Sequence, residues 1–203
     1  RPCNMYTGVV QSAITLLLAL VFYAQDIWLM RRYDPDRADD GSARSWSWTI
    51  FAMVMAAIVV LQPILLPGFG FSTDAWWGLL LQIVGLLLMA AGLALHWWAR
   101  SHLRQFFGER VEYQQGQYLI ETGPYAYVRH PIYTAFFLCI AGLFLVNPAV
   151  TTLLITLYFF WDFARAARKE EALLGKELPG YTEYLARTPR YLPKWGRLLG
   201  ASK

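Results

Sequence analysis

Apolar residues in this chain run in long blocks rather than alternating. A helix needs about 20 predominantly apolar residues to cross a hydrocarbon core, and three blocks reach that length: 8–30, 46–66 and 76–98. The third carries Gly78, Gly85 and Gly92 at heptad spacing. On a helix these form a stripe of small residues along which a neighbouring helix can come close. Two further blocks, 132–146 and 150–163, are shorter and flank Asn147-Pro148, a turn signal. At about 1.5 Å per residue each falls short of a core about 30 Å thick, so the pattern predicts a tight helical hairpin. Pro131 suits the first turn of the fourth helix, where a missing N–H does no harm. The fifth helix meets no breaker before Gly175 and is expected to leave the membrane as a helix, carrying Arg165 through Glu171 into water.

Charge supports the same scheme. Arg31, Arg32, Arg37 and Arg44 follow the first block, and Arg100, Arg104, Arg110 and Arg129 follow the third. Nine more Lys and Arg follow Phe163, so seventeen of the eighteen cations fall on one side of a five-pass topology. By the positive-inside rule that side is the cytosol. The expectation is an all-α integral membrane bundle of five transmembrane helices. Its N-terminus lies outside, its last two helices form the hairpin, and a helical C-terminal tail lies in the cytosol. The chain reads as a single domain, 1–203. Residues 1–99 supply three N-terminal transmembrane helices, and 100–203 supply a cytosolic loop, the hairpin and the tail.

Composition narrows the class. Hydrophobic residues make up 57% and charged residues 16%, against about 25% charged in an average soluble domain. Many of the nine Trp stand near block ends, where membrane interfaces enrich them. The net charge of +4 belongs to the cytosolic loops; no basic cluster stands on a soluble module, so no nucleic-acid partner is expected. Two cysteines, Cys3 and Cys139, make no disulfide framework. The first four residues are set aside, and no cleavable signal pattern is expected, because the first block is too long for a signal core.

Polar chemistry gathers in the two cytosolic segments. The first runs Gln117-Tyr118-Leu119-Ile120-Glu121-Thr122-Gly123-Pro124-Tyr125, then Ala126-Tyr127-Val128-Arg129-His130-Pro131-Ile132-Tyr133. The second centres on Arg165, Arg168, Glu170 and Glu171, followed by Tyr181, Tyr184, Arg187 and Pro193. Plainer roles are available to each. His130 could cap the helix that Pro131 opens, Glu170 and Glu171 could form a solvated face, and Arg129 and Arg165 could snorkel to the interface. His96, beside Trp97 and Trp98, reads as interfacial. His102 and His130 have no third ligand at helical spacing, so no metal is expected.

The string Gly-Pro-Tyr-Ala-Tyr-Val-Arg-His-Pro-Ile-Tyr, followed by an apolar hairpin and a Glu-Glu pair, resembles the isoprenylcysteine carboxyl methyltransferase family. Phospholipid methyltransferases share a looser version. The resemblance covers about His102 to Pro193. It implies a methyltransferase dependent on S-adenosylmethionine. The cofactor pocket it implies uses Glu112, the main chain of Gln117, Tyr118, Leu119 and Ile120, Tyr125, His130, Pro131, Ile132 and Tyr133, and Glu170. It also implies an acceptor-side arginine, for which Arg165 is the nearest match. Two positions depart from the family pattern. Ala135 stands where glycine is usual, and Ala166 where the arginine four residues before the first Glu is usual. Arg165 lies about 140° round an ideal helix from Glu170, and Arg168 is spaced to pair with Glu171.

The cofactor's sulfonium, ammonium and carboxylate call for an acidic partner and for cations or N–H donors, and charge-assisted bonds of that kind are the strong ones. A carboxylate acceptor is already ionised near neutral pH, so no general base is assigned and positioning is the main lever. The expected acceptor is lipid-like and prenylcysteine-type, or small and amphipathic, reached from the lipid bilayer along the 132–163 hairpin. Phospholipid amine N-methylation is the first alternative. An NADPH-dependent sterol-type membrane reductase and a non-catalytic membrane scaffold are the others.

Overall fold

The computed structural model describes residues 5–33, 46–71, 76–107 and 116–194. Among the described residues it contains six α-helices and no β-strand. They are α1 (Gly8–Tyr33), α2 (Trp46–Leu65), α3 (Trp76–Leu103), α4 (Pro131–Val146), α5 (Val150–Glu177) and α6 (Tyr181–Arg187). Three of them, α1, α3 and α5, are long and apolar enough to cross a membrane, while α2 and α4 are shorter apolar helices. Large apolar side chains point outward: Leu17, Leu65, Leu87 and Leu154 are 62–65% exposed. A surface of that kind needs lipid around it, and the chain is a multi-pass membrane protein.

The interior is partly polar. Gln82 donates from its amide to the carbonyls of Tyr6 (2.8 Å) and Val146 (3.1 Å) and accepts from the Tyr6 N–H at 2.8 Å. Gln11 donates to the same Val146 carbonyl at 2.9 Å, and Asn147 reaches Val59 O at 3.0 Å. These bonds gather Tyr6, the start of α3 and the end of α4 at one end of the bundle. Arg100, Arg129, His130 and Glu171 stand toward the other.

α3 and α4 form the most extensive helix pair, and small residues are the reason. A Cβ on Gly85 would lie 2.7 Å from the Gly142 carbonyl, and one on Gly92 would lie 2.8 Å from the Ala135 carbonyl and 2.6 Å from Cys139 Sγ. The stripe expected on α3 thus meets Ala135, Cys139 and Gly142 on α4, all buried. Ala135 is fully enclosed there. α5 runs unbroken through Gly175, as its pattern predicts.

Candidate active site

The loop before α4 is shaped by glycine. Gly123 has φ +58°, and a Cβ there would clash with the His102 imidazole. Pro124 then opens a short 3-10 turn, Gly123–Ala126, that drives Tyr125 into a buried cluster with Ala99 and Ile132. Burial, with Glu170 nearby, pushes the Tyr125 phenol well above its ordinary pKa, so it stays a neutral hydroxyl.

The tail closes over this loop. Gly180 (φ +80°) turns the chain into α6, and Tyr181 and Tyr184 bury against Leu174 and Leu178, with Leu119 packed alongside. Tyr184 Oη donates to Tyr125 O at 2.6 Å. Beyond α6 the strand-like segment lies against the α4 entrance. Arg129 N–H donates to Pro189 O at 2.9 Å, His130 N–H to Arg190 O at 3.1 Å, and Thr134 Oγ1 to Tyr191 O at 3.1 Å. Arg187 pairs with Glu121 at the rim.

Glu171 is the hub. It accepts from His130 Nε2 (3.1 Å), Arg129 Nε (3.1 Å) and Arg190 Nε and Nη2 (3.0 and 2.5 Å). Arg129 also donates to the carbonyls of Leu185 (2.7 Å) and Thr188 (2.5 Å). One carboxylate therefore ties α5, the loop and the tail together. Among the described residues its partners do not include Arg168, contrary to the spacing argument. The reason is that tertiary contacts bring two better-placed arginines and the His130 ring to it. His130 does not cap α4 through its side chain; its ring is spent on the Glu pair.

Glu170 is left differently placed. It is 3.7 Å from His130 Nδ1, faces the Tyr133 hydroxyl and is 34% exposed. Next to this group is Tyr191, whose ring is 6.1 Å from His130 and whose buried Oη has, among the described residues, no hydrogen-bond partner. Tyr191 was not singled out from the sequence, because nothing local marks a tail tyrosine as inward-facing. An unspent hydroxyl beside a half-open carboxylate suits a zwitterionic, hydroxyl-bearing ligand, so these residues fit S-adenosylmethionine.

The other expected residues fall in three places. Pro131 and Ile132 are buried at the start of α4. Ile120 packs toward Tyr125, Leu119 toward the tail, and Tyr118 is exposed, edge-on to Phe106 at 5.2 Å. Gln117 is half-buried beside them. A cavity of about 370 Å³ is lined by Ser101, His102, Arg104 and residues 118–122. Arg165 is not brought to Glu170: it is exposed and stacks on Trp161 at 5.4 Å. Glu112 lies outside the described residues. His96, expected at the interface, is fully buried between Phe22 and Phe136, both 5.4 Å away, with Nδ1 3.2 Å from the Gln25 amide. Successive helical residues turn by about 100°, so Trp97 and Trp98 face outward while His96 does not. Among the described residues no three His, Cys, Asp or Glu side chains are grouped to hold a metal ion.

Fold and site define a polytopic helical membrane protein whose polar site is built at one end of the bundle, from a loop, a helix pair and a tail. The model of the isoprenylcysteine carboxyl methyltransferase (ICMT) family matches residues 83–176. That match begins earlier than the motif-based resemblance, inside α3, and stops before the tail. The structure is similar to the eukaryotic intramembrane Ras methyltransferase ICMT, with TM-score 0.63 and 23% identity, covering 86% of this chain and 63% of that one. Among curated proteins the chain is 26% identical over 142 residues to the nickel-cobalt-cadmium resistance protein NccN of Alcaligenes xylosoxydans xylosoxydans, covering 70% of this chain and 62% of the relative. It is 32% identical over 85 residues to the cobalt-zinc-cadmium resistance protein CzcN of Cupriavidus metallidurans, covering 41% of this chain and 39% of that relative. The chain thus spans less than two thirds of the length of each relative.

Proposed function

We propose that this protein is an S-adenosylmethionine-dependent integral membrane methyltransferase that methylates the carboxylate of a lipid-like, prenylcysteine-type or small amphipathic acceptor. The observation that carries the reading is the division of labour in the Glu pair. Glu171 is consumed by Arg129, His130 and Arg190, whereas Glu170 keeps an accessible face beside Tyr133 and the unspent Tyr191 hydroxyl. When bound, the cofactor supplies an electrophilic methyl group. Glu170, Tyr133 and Tyr191 would hold its polar parts. The buried phenols around them exclude water.

The reading includes five membrane passes, the N-terminus outside and the site on the cytosolic face. The seventeen-to-one division of cations supports that orientation. An impermeant thiol reagent is expected to reach Cys3 from the non-cytosolic side of oriented vesicles; labelling from the cytosolic side alone overturns it.

Titration with S-adenosylmethionine and, separately, NADPH tests the cofactor. Micromolar binding of the former is expected, roughly −7 to −8 kcal/mol. Glu170→Ala should weaken it by about 1.5–3 kcal/mol in a protein that still folds. Binding of NADPH instead, or an unchanged affinity in Glu170→Ala, refutes the assignment. Transfer of labelled methyl to phosphatidylethanolamine but to no carboxylate would move the acceptor to the amine class. Loss of carboxylate methylation in Arg165→Ala, with cofactor binding intact, would assign Arg165 to the acceptor.

A further inference from the structure

The seam between α4 and α5 does not offer a long-chain acceptor a way in. Phe137 stacks on Phe160 at 4.6 Å and Phe136 on Phe163 at 4.9 Å, and Tyr133 closes on Phe163 at 5.9 Å. These rings fill the hairpin that the apolar pattern suggested as a side entrance.

An opening exists elsewhere. A cavity of about 580 Å³ lies between the last turns of α1 and α3, lined by Trp28, Arg32, Tyr33, Trp97, Trp98 and Ser101. Ser101 also lines the cavity bounded by residues 118–122, so the two spaces adjoin at that residue. The larger one sits where both helices pass from apolar sequence to Arg31-Arg32 and Arg100, the level of the membrane–water boundary. Its walls are indoles, and the one cation among its described lining residues is held in place. The Arg32 guanidinium is 5.2 Å from the Trp28 ring and 5.8 Å from the Tyr33 ring. Among the described residues its partners are ring faces rather than carboxylates. Cation–π contacts of this kind orient the group without consuming its N–H donors, and basic pockets between transmembrane helices take anionic heads.

We propose that this cavity docks the methyl acceptor, a long-chain amphiphile ending in a carboxylate. Its chain lies against Trp28, Trp97 and Trp98, its anionic end meets Arg32, and Ser101 marks the passage toward the loop cavity. The assignment rests on the carboxylate reading above for its role in methyl transfer, but not for the binding itself. Among the described lining residues there is one cation, which matches one unit of negative charge and favours a carboxylate over a multiply charged head.

The three indoles make the site observable. With the full chain in nanodiscs, a long-chain fatty acid brominated on its chain is expected to quench tryptophan fluorescence saturably. The quench should shrink in Trp28→Phe and Trp97→Phe. Arg32→Gln should weaken binding at least about tenfold, as for loss of a charge-assisted bond. Arg31→Gln, which removes the same charge from the same helix end without lining the cavity, should not. Equal quenching by the brominated alcohol of the same chain or by brominated phosphatidylcholine would show ordinary contact with surrounding lipid and overturn the proposal. So would equal effects of the two arginine substitutions, or saturable binding that ignores both. S-adenosylmethionine affinity, measured by calorimetry on the same samples, should be unchanged in Arg32→Gln. If that cofactor fails to bind at all, the methyltransferase reading fails while the quenching result still stands or falls by itself.

Discussion

At its C-terminal end α4 is held by neutral amides. Gln11 and Gln82 both donate to Val146 O, and Asn147 ties the following turn to Val59. At its N-terminal end the same helix is held by ions, with Arg129, His130 and Arg190 converging on Glu171. An amide pays little to leave water once its bonds are made, whereas a buried charge costs several kcal/mol unless it is matched. The neutral lock therefore suits the end far from the cation-rich segments, and the ionic clamp suits the end where α5 reaches water. Only the ionic end can position another carboxylate, Glu170, in a defined field.

The comparison can be broken at three places. Glu171→Ala should have the largest effect, about 3–5 kcal/mol of stability, because it leaves Arg129, Arg190 and the His130 ring without their common partner. Denaturant unfolding in micelles would measure it. A loss below about 1 kcal/mol would show that the clamp behaves as a screened surface pair. In the middle of α4, Gly142→Leu should cost about 1–3 kcal/mol by overpacking, since even a Cβ would come within 2.7 Å of Met89 Cγ. Wild-type stability in that variant would mean that α3 and α4 are not pressed together as described. At the neutral end, Gln82→Ala should cost least, about 1–2 kcal/mol. Its effect should not change between low and high salt, while that of Glu171→Ala should shrink as salt screens the clamp. A salt-dependent Gln82→Ala would erase the distinction between the two ends.

Block lengths and turn residues made most of the helices legible in the sequence. Pro131 opens α4, Asn147-Pro148 separates α4 from α5, and Gly85 and Gly92 receive a neighbouring helix as their spacing suggests. The motif residues Tyr125, His130, Tyr133 and Glu170 do come together. What was illegible depended on contacts across long sequence distances. Glu171 and Arg190 look like solvated charges until the tail folds back. His96 carries no local sign that it faces Gln25, 71 residues away. Tyr191 is one of twelve tyrosines, and only packing against His130 and Phe137 distinguishes it. Gln11 and Gln82 sit in apolar blocks where hydropathy alone hides their role as connectors.

The backbone bonds from Arg129 and His130 to Pro189 and Arg190 also set an order of events in biosynthesis. All five apolar helices have been synthesised before residue 190 is added. The membrane bundle can be inserted while its polar end is still open, with Glu171 waiting for a partner. A message cut short after α5 would yield a protein that sits in the bilayer but has no finished site. The last stretch of translation thus acts as a completeness check on the polar site.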